Sequence, residues 1–144
     1  MESTKANSTR TLLLWSTSIV VGHFIAVVWH LLLVVKTQPG FPGFAPPLLI
    51  FVNLIPVAGL VVFAKGFQKV AGGMITLPLA MALIIGFYAH FLSPGADNIF
   101  RMPPGDLTLP FQVSAVLLSL LEALGCWIGI RIFVQFSVRR ALTN

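Results

Sequence analysis

Four apolar runs, Leu12 to Val35, Pro47 to Ala64, Gly73 to Ser93 and Phe111 to Val138, leave this chain almost no room for anything else. A helix needs about 20 mostly apolar residues to cross a bilayer core, and these runs hold 24, 18, 21 and 28. Lipid offers no hydrogen bonds to an open backbone, so a run of this kind must close its own bonds as a helix. The expected fold is therefore all-α: an integral membrane four-helix bundle in one transmembrane domain, residues 1–144. Connections are expected over 36–46, 65–72 and 94–110. Only 9% of the residues are charged, against about 25% in a soluble domain.

The first run follows Lys5 and Arg10 and so invites comparison with a signal peptide. It is too long for one, and no small-residue cleavage site follows, so a retained helix is expected. Pro56 and Pro78 fall inside the second and third runs, and a kink is expected near Val52 to Pro56. Asn53, one turn before Pro56, is expected to bond a neighbouring helix or a freed carbonyl.

Basic residues collect on the cytoplasmic side of membrane proteins. With both termini cytoplasmic, Lys5, Arg10, Lys65, Lys69, Arg131, Arg139 and Arg140 fall inside, and only Lys36 and Arg101 fall outside. That places the loops 36–46 and 94–110 outside and the turn 65–72 in the cytoplasm of a bacterial-type inner or plasma membrane. Because the net charge of +5 sits at run ends, it reflects topology and gives no reason to expect nucleic-acid binding. The first outer loop repeats Pro-Gly-Phe, read as turn chemistry. The second holds Asp97, Arg101 and Asp106, with a short helix expected over Asp97 to Met102 capped by Asp97, and Asp97 with Arg101 as an outward mouth.

Few ionisable side chains interrupt the runs. His23, His30, His90 and Glu122 stand out, because an ionisable group at the bilayer centre costs about 2.5 kcal/mol or more. At about 1.5 Å of rise per residue, His23 and Glu122 both fall roughly 17 Å into their spans. His30 and His90 fall roughly 8 Å and 5 Å below the outer face. A midplane pair and an outer pair are thus expected. His23, His30 and Ser16 share one helical face. Ala115, Ser119, Glu122, Cys126 and Gly129 share another, and Ala82, Gly86 and His90 a third. Small residues let helices approach closely in lipid, so these polar groups are expected to face the interior. The same faces are candidates for self-association or contact with other membrane subunits.

Imidazoles from two helices can hold a haem iron or the magnesium of a chlorophyll-type pigment, or contact a quinone. This makes His30 and His90, with His23, candidate cofactor-binding residues. A histidine near an interface equally well bonds a carbonyl or a headgroup. A desolvated Glu122 beside His23 is a candidate proton-transfer couple, or a single interhelical hydrogen bond. The lone Cys126 excludes an intrachain disulfide, and no Walker, GxGxxG, HExxH or GxSxG motif points to a stand-alone enzyme. In span count the chain is similar to the small multidrug exporters, but those carry their acid in the first span. The charge bias also argues against a dual-topology dimer.

Three classes stay open. The first is an accessory or cofactor-contacting subunit of a larger electron-transfer or photosynthetic membrane complex. The second is a small proton-coupled carrier using Glu122 and His23, and the third a purely structural subunit. The charge distribution makes one direct prediction. In a Cys126→Ser background, Arg101→Cys reacts with an impermeant thiol reagent in intact cells, whereas Lys65→Cys reacts only after permeabilisation. The reverse labelling pattern refutes the orientation.

Overall fold

The computed structural model describes residues 2–37, 45–95 and 97–141. It contains α1 (Glu2–Thr37), α2 (Ala45–Ala64), α3 (Gln68–Phe87), continued by one π-helical turn (Tyr88–Leu92), and α4 (Thr108–Ala141). All four helices contain stretches long and apolar enough to cross a membrane, and no strand occurs among the described residues. The Pro-Gly-Phe repeat of the first loop lies outside them.

Sequence-adjacent helices are spatial neighbours, and α4 returns to α1, which closes a four-membered ring. The hydrogen bonds fix the α1–α4 direction. His30 meets Ser114 near one end and Ser8 meets Gln135 near the other, so these helices run antiparallel. Two hydrophobic clusters fill the bundle. One gathers Leu12, Ile19, Val20, Ile75, Leu79 and Ile132 with their neighbours. The other gathers Leu33, Val34, Ile99, Phe111 and Ala115. Along α1 and α4, His23, His30, Ser114 and Glu122 lie at or between the edges of these two clusters. Outside, Leu14, Ile25, Leu77, Ile84, Leu120 and Ile130 are exposed, while Ser16, His23, His30, Asn53, Ser114 and Glu122 are buried. Apolar side chains outward and polar ones inward is the arrangement that suits a lipid solvent.

Helical hydroxyls are satisfied locally. Ser16, Thr76, Ser119 and Ser137 each donate to the carbonyl four residues back. Asn53 does the same, donating Nδ2 to Leu49 O at 2.8 Å. It bonds neither a neighbouring helix nor the carbonyl freed by Pro56, which is that of Val52, because Leu49 O is nearer along its own helix.

Several boundaries differ from the apolar runs. α1 begins ten residues before Leu12 and α4 continues three past Val138; Ser8, in the extension of α1, accepts a hydrogen bond from Gln135 near the end of the α4 run. α3 begins at Gln68, five residues before Gly73, since the preceding turn is very tight. Phe67 N donates to Val62 O and Gly66 N to Phe63 O, the two bonds of a Schellman cap, with Gly66 at φ +92° where only glycine sits without strain. No helix forms over Asp97 to Met102. Asn98, not Asp97, organises that segment: its Oδ1 accepts from Phe100 N and its Nδ2 donates to Ser93 O. These bonds close turns that compete with a helical start.

The α3–α4 interface is the most extensive, and glycine makes it so. A Cβ on Gly72 would stand 2.8 Å from both Gly129 O and Phe133 N, which are backbone atoms that cannot swing away. A Cβ on Gly129 would collide with Thr76 Oγ1, and one on Gly125 with the Leu79 side chain. The Gly125/Gly129 pair is thus engaged within the chain. The adjacent Gly73 faces open space. Gly72→Ala is therefore expected to destabilise the purified protein by about 1–3 kcal/mol through overpacking. Gly73→Ala is expected to be neutral or to stabilise by up to about 1 kcal/mol. Thermal melts of the two variants in detergent check this, and equal effects would contradict the interface.

Candidate functional site

Helical periodicity sets His23 and His30 seven residues apart on the buried stripe of α1, with Ser16 and Ala26. On α4 the small residues around Glu122 let α3 come close, and on α3 Gly86 leaves an open position opposite. The structure brings His23 and Glu122 together: Nε2 lies 3.5 Å from Oε1. Their residue exposures are 1% and 6%. Neither His23 Nε2 nor Glu122 Oε2 has a hydrogen-bond partner among the described residues, so the contact is an ion-pair-range approach and not a formed hydrogen bond.

His30 and His90 also meet, edge to face, with ring centres 4.8 Å apart. Phe111 closes the group, 4.9 Å from the His30 ring and 5.9 Å from that of His90. The proton positions follow from their partners. Ser114 Oγ donates its one hydrogen to Phe111 O at 2.7 Å, so at 2.8 Å it can only accept from His30 Nδ1. His90 Nδ1 faces the backbone oxygen of Asp97 at 3.1 Å, and a carbonyl can only accept. Both rings therefore carry hydrogen on Nδ1. In the neutral ring that leaves Nε2 as a lone pair.

The two pairs are connected. The position a Cβ would take on Gly86 lies 3.7 Å from Glu122 Oε2 and 3.9 Å from His90 Cδ2. Gly86 thus keeps a narrow gap open between the midplane carboxyl and the outer imidazole. His23, Glu122, the Gly86 gap, His90 and His30 form one column along the bundle interior. Its outer end sits in the π-helical turn, where Ser93 N reaches back to Tyr88 O. Such turns are frequent at functional sites. His90 O also accepts from Ile99 N, and Gln112 Nε2 donates to Ile99 O. These bonds tie the loop to both α3 and α4.

Asp97 and Arg101 are not brought together around one opening. Asp97 meets His90 through its backbone, whereas exposed Arg101 lines a cavity of about 510 Å³ with Thr37, Met102, Asp106 and Thr108. No histidine lines that cavity. Sequence reasoning missed Ser114 and Gln112. Ser114 is three residues past Phe111 and level with His30 by helical rise, which is the signal that was there to be read. No signal foretold the π-helical turn.

A bis-histidine haem does not fit between the outer rings as they stand. Two imidazoles holding one iron from opposite faces each place a nitrogen about 2 Å from it, so their ring centres lie roughly 6 Å apart or more. Edge-to-face packing at 4.8 Å leaves no width for a tetrapyrrole. Among the described residues no group of three or more His, Cys, Asp or Glu is placed to hold a metal ion. No family model, curated protein or solved structure matches the chain.

Ser114 is the group on which the His30 proton position depends. Ser114→Ala leaves the buried Nδ1–H without its acceptor, at a cost of about 1–3 kcal/mol. The measurement is a melting curve paired with ¹⁵N imidazole shifts. The expected result is a lower melting temperature and a changed His30 tautomer signature. An unaltered His30 spectrum would show that Ser114 does not set it.

Proposed function

We propose that this is an integral membrane protein of a bacterial-type inner membrane, both termini cytoplasmic, acting as a small proton-coupled carrier. Glu122 and His23 are its proton-transfer couple, and His90 and His30 extend the path toward the outer face. The observation that carries this reading is the continuous column: all three histidines of the chain and its one mid-span acid stand in one file, joined across the Gly86 gap.

The division of labour follows from the bonding. A carboxyl and an imidazole shielded from water each resist carrying charge, while each supports the charge of the other. Moving one proton between Glu122 Oε1 and His23 Nε2 interconverts a neutral pair and an ion pair without changing the total charge in the bundle. A proton leaving Glu122 Oε2 toward His90 crosses the space beside Gly86, and the bare Nε2 of His90 is its acceptor. The proton then passes to His30 or leaves at the loop that caps His90.

A second reading, a cofactor-contacting subunit of a larger membrane electron-transfer or photosynthetic complex, draws on a different observation. Both outer rings are pinned through Nδ1 and offer Nε2, which is how histidines that ligate or accept a proton are commonly held. With no width for a tetrapyrrole between them, that reading favours a quinol hydroxyl donating to Nε2.

The carrier reading is tested in proteoliposomes loaded with a pH dye, in sodium-free buffer, under a potassium diffusion potential. Wild-type protein is expected to pass protons faster than empty vesicles. Glu122→Gln is expected to cut the flux by about a hundredfold or to the empty-vesicle level. Wild-type flux in the Glu122→Gln variant would end the mechanism.

A further inference from the structure

Three buried polar atoms among the described residues lack a hydrogen-bond partner: His23 Nε2, Asn53 Oδ1 and Glu122 Oε2. They belong to three helices, α1, α2 and α4, yet the packing sets them at one level. Gly59 of α2 packs on Met74 and Ile75 of α3. Six residues earlier on α2, Asn53 therefore lies level with Ala80 and Met81, just past Leu79. Leu79 packs on Gly125 of α4, less than one turn from Glu122, and Glu122 faces His23. All three side chains are more than nine-tenths buried, with Asn53 7% exposed.

The chemistry at this level is one-sided. Asn53 spends its Nδ2 on Leu49 O, which fixes the amide orientation and leaves only the oxygen for the interior. Pro56 has no N–H, so the carbonyl of Val52, adjacent to Asn53, loses its helical donor. The Glu122 carboxylate, the Asn53 amide oxygen and the released Val52 carbonyl thus lie at one level. In membrane carriers, backbone carbonyls released at interrupted helices are typical ligands of small cations.

We infer that the His23–Asn53–Glu122 layer binds a small monovalent cation of the Na⁺ class through Glu122 and Asn53 oxygens. Charge selects the valence. One carboxylate and one monovalent ion sum to zero, while a divalent ion would leave net charge in a water-poor interior. Hardness selects the class, since carboxylate and carbonyl oxygens suit hard ions. The site shares Glu122 with the proposed proton path but does not depend on it. Flux in sodium-free buffer tests that path, and ion binding to the resting protein tests this site.

The experiment is thermal melting of the full-length protein in detergent. NaCl, LiCl and KCl are each titrated against choline chloride at constant ionic strength, with isothermal calorimetry for the salt that acts. At least one alkali cation is expected to raise the melting temperature saturably where choline does not. Glu122→Gln is expected to abolish the rise. Asn53→Leu is expected to raise the half-saturating concentration by about tenfold or more. Gly73→Ala, outside the layer and facing open space, should leave the response intact. Asn53→Asp keeps an oxygen at the site and guards against a misfolded Leu variant: it should retain ion-dependent stabilisation. Identical curves in all four salts overturn the proposal, as does an unchanged response in Asn53→Leu or in Glu122→Gln.

Discussion

A helix surrounded by lipid has no solvent in which to leave a polar group, and the rest of this structure follows from that constraint. Every hydroxyl, amide or imidazole in a span must bond its own helix, bond a neighbour, or remain costly. Ser16, Thr76, Ser119 and Ser137 take the first course, each returning its hydrogen to its own helical turn. Side chains too long or too rigid for that are driven inward, and in a ring of four helices inward is a single narrow space. Segregation of polar groups from lipid therefore also gathers them, and the His–Glu column results from both.

Gathering requires helices that come close, and the α3–α4 seam supplies the approach. Gly72 and Gly129 allow backbone against backbone, and Gly125 receives Leu79. The same closeness carries Gly86 to the carboxyl of Glu122. A larger residue at Gly86 would fill the space between Glu122 and His90. Packing and connectivity are thus one property of this interface: the glycines that close the bundle also set how near its ionisable groups stand.

Much of this was legible in the residues. The lengths of the runs give four helices, and helical rise alone paired His23 with Glu122 and His30 with His90, because spans that cross the same layer share one depth scale. What the residues concealed was local. α1 and α4 outrun their apolar segments, and Ser8 of the α1 extension bonds Gln135 of α4, a helix–helix contact that hydropathy does not report. The π-helical turn at Tyr88–Leu92 differs from an α turn by one residue of register, which no composition encodes. Asp97 looked like a cap by type, yet Asn98 holds the turn, since its amide can donate and accept at once. Ser114 escaped notice because a serine in a span is ordinarily satisfied by its own helix. Here it is so satisfied, and its oxygen still accepts from His30.

The two histidine layers differ in how their side chains are held. His30 and His90 are held by Nδ1 bonds and by tilted and edge-on contacts with Phe111, so their orientation is set from outside the ring pair. His23 Nε2 and Glu122 Oε2 have no hydrogen-bond partner among the described residues, and Asn53 adds a bare oxygen at their level. A group that is fully bonded loses a partner when its charge changes, and that loss opposes the change. A group with open valence loses nothing and can gain a proton, an ion or a donor. The interior layer is therefore where a change of charge costs least in broken bonds, and the outer layer is where position is conserved. A bundle meant only to be stable would pair Glu122 fully or replace it with leucine. Here one Glu122 oxygen stays without a hydrogen-bond partner beside His23, which is a local cost in stability.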